Sequence, residues 1–398
     1  MTINFSTLDG VDVKGKSVIV RVDINVPMQH GDVSDETRIR KIIPTLKELL
    51  AKNAKVIVIS HFGRPKGKFV PSMSLAPLAD KLSELLEMEV HFGVDCTGKE
   101  AHEAVDLIGF GEIVLLENLR FYEDEKSNSP EFAKELASLG DIYVNDAFSC
   151  SHRSHASIVG ITEFLPSYAG RLMQEELENL DSSLSNPVHP IAAVIGGSKV
   201  STKLKLLHNL THKVDVCIIG GGMANTFLKA QGYDVGKSLV ENDLVSVAKE
   251  ILEEAEQNNC EILLPIDVVI ADKLEKQVQC LIASPSRVPE DGMIFDIGPK
   301  TVALASDKLA ECKTIIWNGP MGVFEISPFD VGTISLARTV AGLTQVGKVK
   351  SIAGGGDTIA GLMHSGLGKG FSYISTAGGA FLEWLEGSVL PGVEALKK

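Results

Sequence analysis

The feature that most constrains this chain is how its apolar runs end. In the N-terminal part, VIVRVDINVP (from Val18), VIVISHFGRP (from Val56), IVLLENLRF (from Ile113) and IYVNDAF (from Ile142) finish on Arg, His, Asp and Asn. In the C-terminal part, IAAVIGGSK (from Ile191), VCIIGGG (from Val216), TIIWNGPMG (from Thr314), SIAGGGDT (from Ser351) and SYISTAGGA (from Ser372) finish on glycines with a few polar groups. Segments of helical spacing alternate with these runs; DETRIRKIIPTLKELLAK carries Ile39, Ile42, Ile43, Leu46, Leu49 and Leu50. The alternation predicts an α/β fold with parallel sheets covered by helices on both faces. Ligands of open α/β sheets bind outside the carboxyl ends of the strands, so two unlike sites are expected. Arg and His suit a small polyanion held by charge, whereas glycine turns opening into helices suit nucleotide phosphates held by backbone N–H groups.

At 398 residues the chain exceeds what one core usually spans, which predicts two domains. Boundaries are expected at 1–170 and 187–387. A helical linker over 171–186 joins them, closed by Ser185-Asn186-Pro187, and a tail over 388–398 packs back on the first domain. The net charge of −14 argues against a nucleic-acid or anionic-membrane surface, so an anion site must be a local basic pocket. Six scattered cysteines read as thiols of a reducing cytosol. The N-terminal residues show no signal peptide, and no apolar stretch reaches the roughly 20 residues of a membrane helix. A cytoplasmic monomer is the expectation.

In RVDINVP, Arg21, Asp23 and Asn25 occupy alternate positions at a strand end and so point to one side. His61 and Arg64 flank Gly63 in SHFGRP. Arg120 in ENLRF, Asp146 in VNDAF and Arg153 in SHRSHAS fall at or just beyond two more strand ends, and Arg38 lies in the first turns after Asp35. Cations gathered at one sheet edge repel one another unless an anion occupies the site, and arginine's planar fork suits carboxylate and phosphate. His152 and His155 lack a third ligand at metal spacing. In the second half, GGSKVSTK places Lys199 and Lys203 four apart at an expected helix start, on one face and above N–H groups that favour negative charge. GVDCTGKE at Gly93 has Glu100 where a phosphate loop needs Ser or Thr, so it is a chance match. Asp357 in GGGDT can cap a helix or hold Mg²⁺, and Glu325 in WNGPMGVFE can accept hydrogen bonds from ribose hydroxyls.

With these residues assembled, the chain closely resembles the phosphoglycerate kinase family. The motifs RVDINVP, SHFGRP, LLENLRF, VNDAFSCSHRSHAS, GGSKVSTK, IIGGGMANTFL, WNGPMGVFE and GGGDT occur in family order over nearly the whole length. The resemblance implies two Rossmann-like three-layer domains facing across a cleft, and reversible phosphoryl transfer between 1,3-bisphosphoglycerate and MgADP that gives 3-phosphoglycerate and MgATP after hinge closure. It further implies that Asp23, Asn25, Arg38, His61, Phe62, Gly63, Arg64, Arg120 and Arg153 bind the triose acid. Lys203, Gly220, Gly221, Asn318, Pro320, Glu325 and Gly354, Gly355, Gly356, Asp357 and Thr358 are implied to bind ATP or ADP, with Asp357 on Mg²⁺. Arg38, Lys199, Gly378 and Gly379 are implied to act on the phosphoryl group in flight. The acceptor carboxylate is already ionised at neutral pH, so no general base is required, and catalysis reduces to alignment and charge neutralisation. One departure is Ala377 in STAGGA, where the family often has a third glycine; a methyl there is tolerable only at negative φ. A two-lobed binding protein that closes on a single anion is the rival reading, but two unlike sets of binding residues argue against it.

Overall fold

The computed structural model describes residues 5–29, 31–184 and 187–397. They fall into two compact units, one comprising the chain up to Glu178 together with the chain from Val389 onward, the other Asn179–Ser388. The division lies inside the helix Arg171–Leu184; the helix stop expected at Ser185-Asn186 lies outside the described residues.

The first unit contains strands β1 (Ser17–Val22), β2 (Met28–Gln29), β3 (Asp32–Val33), β4 (Lys55–Ile59), β5 (His91–Gly93), β6 (Ile113–Leu116), β7 (Ile142–Asp146) and β8 (Ser167–Ala169). Among the described residues six of these form a parallel sheet in the order β5-β6-β4-β1-β7-β8, and β2 and β3 pair as a small antiparallel ribbon. The strands are apolar on both faces because helices cover both. Val18, Val20 and Val22 pack with Val56 and Val58 on one face, and Ile19 packs with Ile57 and Ile59 on the other. Helix Thr37–Ala51 inserts Ile39, Ile42, Leu46 and Leu49 into the first of these cores, where truncating one such leucine costs about 2–5 kcal/mol. The C-terminal segment packs into this unit through Gly392 N–H donating to Ser151 O (2.8 Å) and Ser6 N–H donating to Leu396 O (3.0 Å).

The second unit contains β9 (Ile191–Ile195), β10 (Val216–Ile219), β11 (Glu261–Leu263), β12 (Val268–Ala271), β13 (Leu281–Ala283), β14 (Met293–Ile297), β15 (Thr314–Asn318), β16 (Lys350–Gly354) and β17 (Tyr373–Ser375). Its six-stranded parallel sheet runs β11-β10-β9-β15-β16-β17. An antiparallel β13-β12-β14 sheet is added around Phe329, Val269 and Ala271. The sequence pattern did not reveal this addition, because three short runs separated by polar loops look like irregular chain. In both parallel sheets the strand order reverses beside the first strand, between β1 and β7 and between β9 and β15. Adjacent loops diverge at such a reversal and leave a crevice at the carboxyl ends. No helix among the described residues is long and apolar enough to cross a membrane.

Candidate active site

The crevice of the first unit is lined by side chains. Arg21 stands level with Ile59 on one side and Asn145 on the other, so Asp23, His61 and the turn Phe148–Cys150 leave the sheet at the same edge. The Asp23 carboxylate accepts from Ser149 Oγ (2.5 Å) and from Arg38 Nη1 (3.3 Å), and Arg38 Nη1 also donates to Asn25 O (3.0 Å). Asn25 Oδ1 accepts from Gly63 N–H (3.0 Å). Asn118 shapes the loop from below: its Oδ1 accepts from Phe62 N–H (3.1 Å) and Arg120 N–H (3.0 Å), and its Nδ2 donates to Phe62 O (2.8 Å).

Arg120 is buried, donates from Nη1 to Gly63 O (2.6 Å), and leaves its Nε without a partner. Burial, and then the neighbouring Arg153, push its pKa down to about 10, so it keeps its charge near neutrality while facing other cations. His61 is buried, and its pKa is held well below the usual histidine value by burial first, then by Arg21, Arg120, Arg153 and His155. Arg153 donates from Nε to His152 Nε2 (3.1 Å). Arg64 is exposed, with no hydrogen bond or ion pair among the described residues. Of the expected anion-binding arginines, only Arg38 pairs with a carboxylate among the described residues. Asp146 turns away: it is fully buried, accepts from Met173 N–H (3.1 Å), and burial pushes its pKa up to about 6. Asp23, His61 and Cys150 bring donor atoms within 4.8 Å of one another, but Arg21 already occupies His61 Nδ1 at 3.0 Å, leaving no lone pair there for a metal.

The crevice of the second unit is lined by backbone. Helix Gly222–Ala230 opens after Gly221 at φ +68°, helix Gly356–His364 after Gly355 at φ +98°, and the short helix Gly379–Leu385 after Gly378 at φ +55°. At Gly355 a Cβ would also meet Asn318 Nδ2 at 2.6 Å, whereas one at Gly356 would meet nothing within 4 Å; the chain surface there is open to a ligand. Asn318 Nδ2 donates to Gly354 O (2.8 Å), and Gly319 N–H donates to Thr358 Oγ1 (2.7 Å), tying the ends of β15 and β16 together. Gly220 N–H donates to Ile195 O (2.9 Å), and Pro320 is buried beside these turns. Asp357 is exposed in the first helical turn, and its carboxylate has no hydrogen-bond partner among the described residues. Glu325 is exposed beyond β15.

The two lysines do not share a helical face. Lys199 is extended and exposed ahead of the turn Val200–Thr202, and the helix begins only at Leu204. Lys203 turns inward and donates from Nζ to Gly196 O (2.5 Å), Asn318 O (2.9 Å) and Asn318 Oδ1 (2.5 Å). Burial pushes its pKa down to about 8, with Asp357 pulling the other way.

The model of the family described as phosphoglycerate kinase matches residues 8–388. A curated phosphoglycerate kinase of Ruegeria sp. is 55% identical over 395 residues, covering 99% of this chain and 100% of the relative; that of Zymomonas mobilis is 54% identical over 394 residues, with 99% of each covered. The solved structure of phosphoglycerate kinase from Coxiella burnetii superposes with a TM-score of 0.92 at 43% identity, covering 98% of each chain. The chain belongs to the phosphoglycerate kinase family.

Against the phosphoglycerate kinase motifs, the one departure is harmless to the backbone. Ala377 is not among the residues with positive φ, and its N–H donates to Ser375 Oγ (3.2 Å). Sequence reasoning missed Ser149 and Asn118. Both lie inside phosphoglycerate kinase motifs, VNDAFSCSHRSHAS and LLENLRF, so the signal was present. Nothing about a lone hydroxyl or amide marked it as a support for the site.

Proposed function

We propose that the two units carry the two halves of a phosphoryl transfer. Asp23, Asn25, Arg38, His61, Phe62, Gly63, Arg64, Arg120 and Arg153 bind 3-phosphoglycerate or 1,3-bisphosphoglycerate. Lys203, Gly220, Gly221, Asn318, Pro320, Glu325 and the turn Gly354, Gly355, Gly356, Asp357 and Thr358 bind ATP or ADP. The reaction is that of the phosphoglycerate kinase family, reversible transfer between 1,3-bisphosphoglycerate and ADP with a carboxyl group as acceptor. The observation that carries the site assignment is Arg120, a buried cation with an unpartnered Nε, crowded by Arg153 and beside a neutral His61. An anion satisfies that hole and relieves the repulsion.

No residue has to take a proton from the acceptor, because a carboxylate is ionised at neutral pH. The residues therefore position and neutralise. Arg38 stands free to exchange part of its Asp23 contact for the phosphoryl group, and Lys199, exposed and extended, reaches the same group from the nucleotide side. The N–H groups of Gly378 and Gly379 add donors to it. The free Asp357 carboxylate fits Mg²⁺, which needs only one or two protein oxygens beside phosphates and water; Mg²⁺ there would neutralise nucleotide phosphate charge. In-line transfer needs both ligands at contact distance, so a closing step precedes it and excludes water that would hydrolyse the acyl phosphate. Both proposed sets of binding residues come from one chain, which supports a monomer, and the free thiols suit the cytoplasm. The test is 3-phosphoglycerate-dependent ADP formation from MgATP, coupled to a dehydrogenase that removes 1,3-bisphosphoglycerate. Turnover that collapses in Arg38→Ala supports the reading, and binding of both ligands without turnover in the unsubstituted protein refutes it.

A further inference from the structure

The buried guanidinium of Arg21 is not used by the reaction as described. Only 1% exposed, it donates from Nε to Ser157 Oγ (2.9 Å), from Nη1 to Val22 O, and from Nη2 to His61 Nδ1 (3.0 Å). Its counter-charge is Glu125, fully buried and one hydroxyl away: Ser157 Oγ donates to Glu125 Oε1 (2.7 Å) and Ser157 N–H to Glu125 Oε2 (2.9 Å). A buried ion pair held at this distance through a hydroxyl is a weak source of stability, and apolar side chains would fill the space at least as well. The arrangement does have one chemical consequence. A guanidinium can only donate, so the Nδ1 it touches must be a lone pair.

We propose that Arg21 is a positioning residue that holds His61 neutral with its proton on Nε2, making the imidazole a neutral donor to the bound triose acid; this rests on the acid-site reading given above. No protein acceptor among the described residues takes the Nε2 proton, so it is available to ligand. Protonating Nδ1 would set N–H against N–H. Arg120, Arg153 and His155 oppose a second proton; of the nearby carboxylates, Asp23 is already engaged by Ser149 and Arg38 and Glu125 by Ser157 and His155. The Cys150 thiol, 4.0 Å from Nδ1, is pushed up by burial and stays protonated. A site built this way binds its acid through charges that do not titrate near neutrality, with the imidazole supplying direction and not charge.

The test uses the full chain labelled with ¹⁵N in histidine, the His61 signals being assigned by their loss in His61→Gln. One-bond and long-range ¹⁵N–¹H correlations are followed from pH 5 to pH 8. The expected result is a single Nε2–H tautomer, Nδ1 an unprotonated acceptor across the whole range, and movement of the Nε2 signal on adding 3-phosphoglycerate. The double variant Arg21→Met/Glu125→Gln, which removes the guanidinium together with the carboxylate opposite it, the one His155 Nδ1 also approaches at 3.5 Å, should show mixed tautomers and a titration between pH 5 and pH 7. The ratio of its kcat/KM for 3-phosphoglycerate to that of the unsubstituted enzyme should then rise as pH falls, with the KM for MgATP unchanged; taking the ratio cancels titration of the substrate's own phosphate. An Nδ1–H tautomer or an imidazolium at pH 7 in the unsubstituted protein overturns the proposal, with no variant needing to fold. An unaltered tautomer in the double variant overturns it equally. If the tautomer is as stated but His61→Gln leaves the KM for 3-phosphoglycerate unchanged, the acid-site reading of His61 fails while the assignment of its proton stands.

Discussion

The crevice of the first unit and that of the second sit at equivalent places in two similar parallel sheets, yet they are built from different materials. One is a set of charged side chains set on a buried network: Arg38 on Asp23, Arg120 over Gly63, Arg21 behind His61. The other is glycine backbone at three helix starts, with Lys203 holding strand-end carbonyls beneath it. A compact triose acid is nearly all charge and needs fixed cations. A nucleotide carries its phosphates on a long body and is held where the backbone comes close. On the proposed assignment the same topology serves opposite solutions, because topology supplies only the crevice and the residues at the strand ends supply the chemistry.

If this contrast is right, the largest effect belongs to a side-chain cation. Arg38→Ala should lower kcat by 10² or more, about 3 kcal/mol of transition-state stabilisation, with nucleotide affinity little changed; a loss seen only in the KM for MgATP would exchange the roles of the two crevices. Lys203→Ala comes next. It strands two acceptors, Gly196 O and Asn318 Oδ1, while Asn318 O keeps the Gly196 N–H, at about 1–3 kcal/mol for a buried unsatisfied group. Both the apparent Tm and nucleotide affinity should fall, the latter by about tenfold, while 3-phosphoglycerate affinity measured by calorimetry holds.

Adjacent glycines sharpen the backbone side of the comparison. Gly355→Ala meets positive φ and the Asn318 amide, so thermal unfolding should register about 1–2 kcal/mol of strain. Gly356→Ala has room and sits at a helix start; it should leave the unfolding temperature unchanged or higher, yet weaken ATP binding because its methyl projects into the ligand's space. Equal effects of the two on both readouts would mean that neither glycine faces a phosphate. The smallest effect is in pH. Burial has lowered the Lys203 pKa to about 8, so its charge is present below that value and lost as pH rises through it. The KM for MgATP should climb between about pH 8 and pH 9, while that for 3-phosphoglycerate, carried by arginines and a neutral imidazole, stays flat.

Much of this was legible without coordinates. The βα alternation gave the two parallel sheets, and the strand-end residues His61, Arg120, Asn318 and Gly354 mark where both crevices lie. Other features depended on distances that sequence does not encode. Lys199 and Lys203 were expected on one helical face, and the chain instead makes a turn between them that sends one outward and the other under the sheet edge. Arg21 read as one more cation at a strand end, and burial turned it into a support for its neighbour. The antiparallel sheet β12 to β14 went unread because its runs are short and its pairing is long-range.

The sequence by itself therefore determined the class of fold, the crevice positions and the chemical character of each, since periodicity and strand-end composition are local properties. Only the tertiary structure decided which cations meet an anion and which are satisfied inside the protein. That choice depends on contacts between residues as distant in the chain as Arg21 and Ser157, or Lys203 and Asn318, and on burial, which sets whether a charge is neutralised, shifted or left to wait for a ligand.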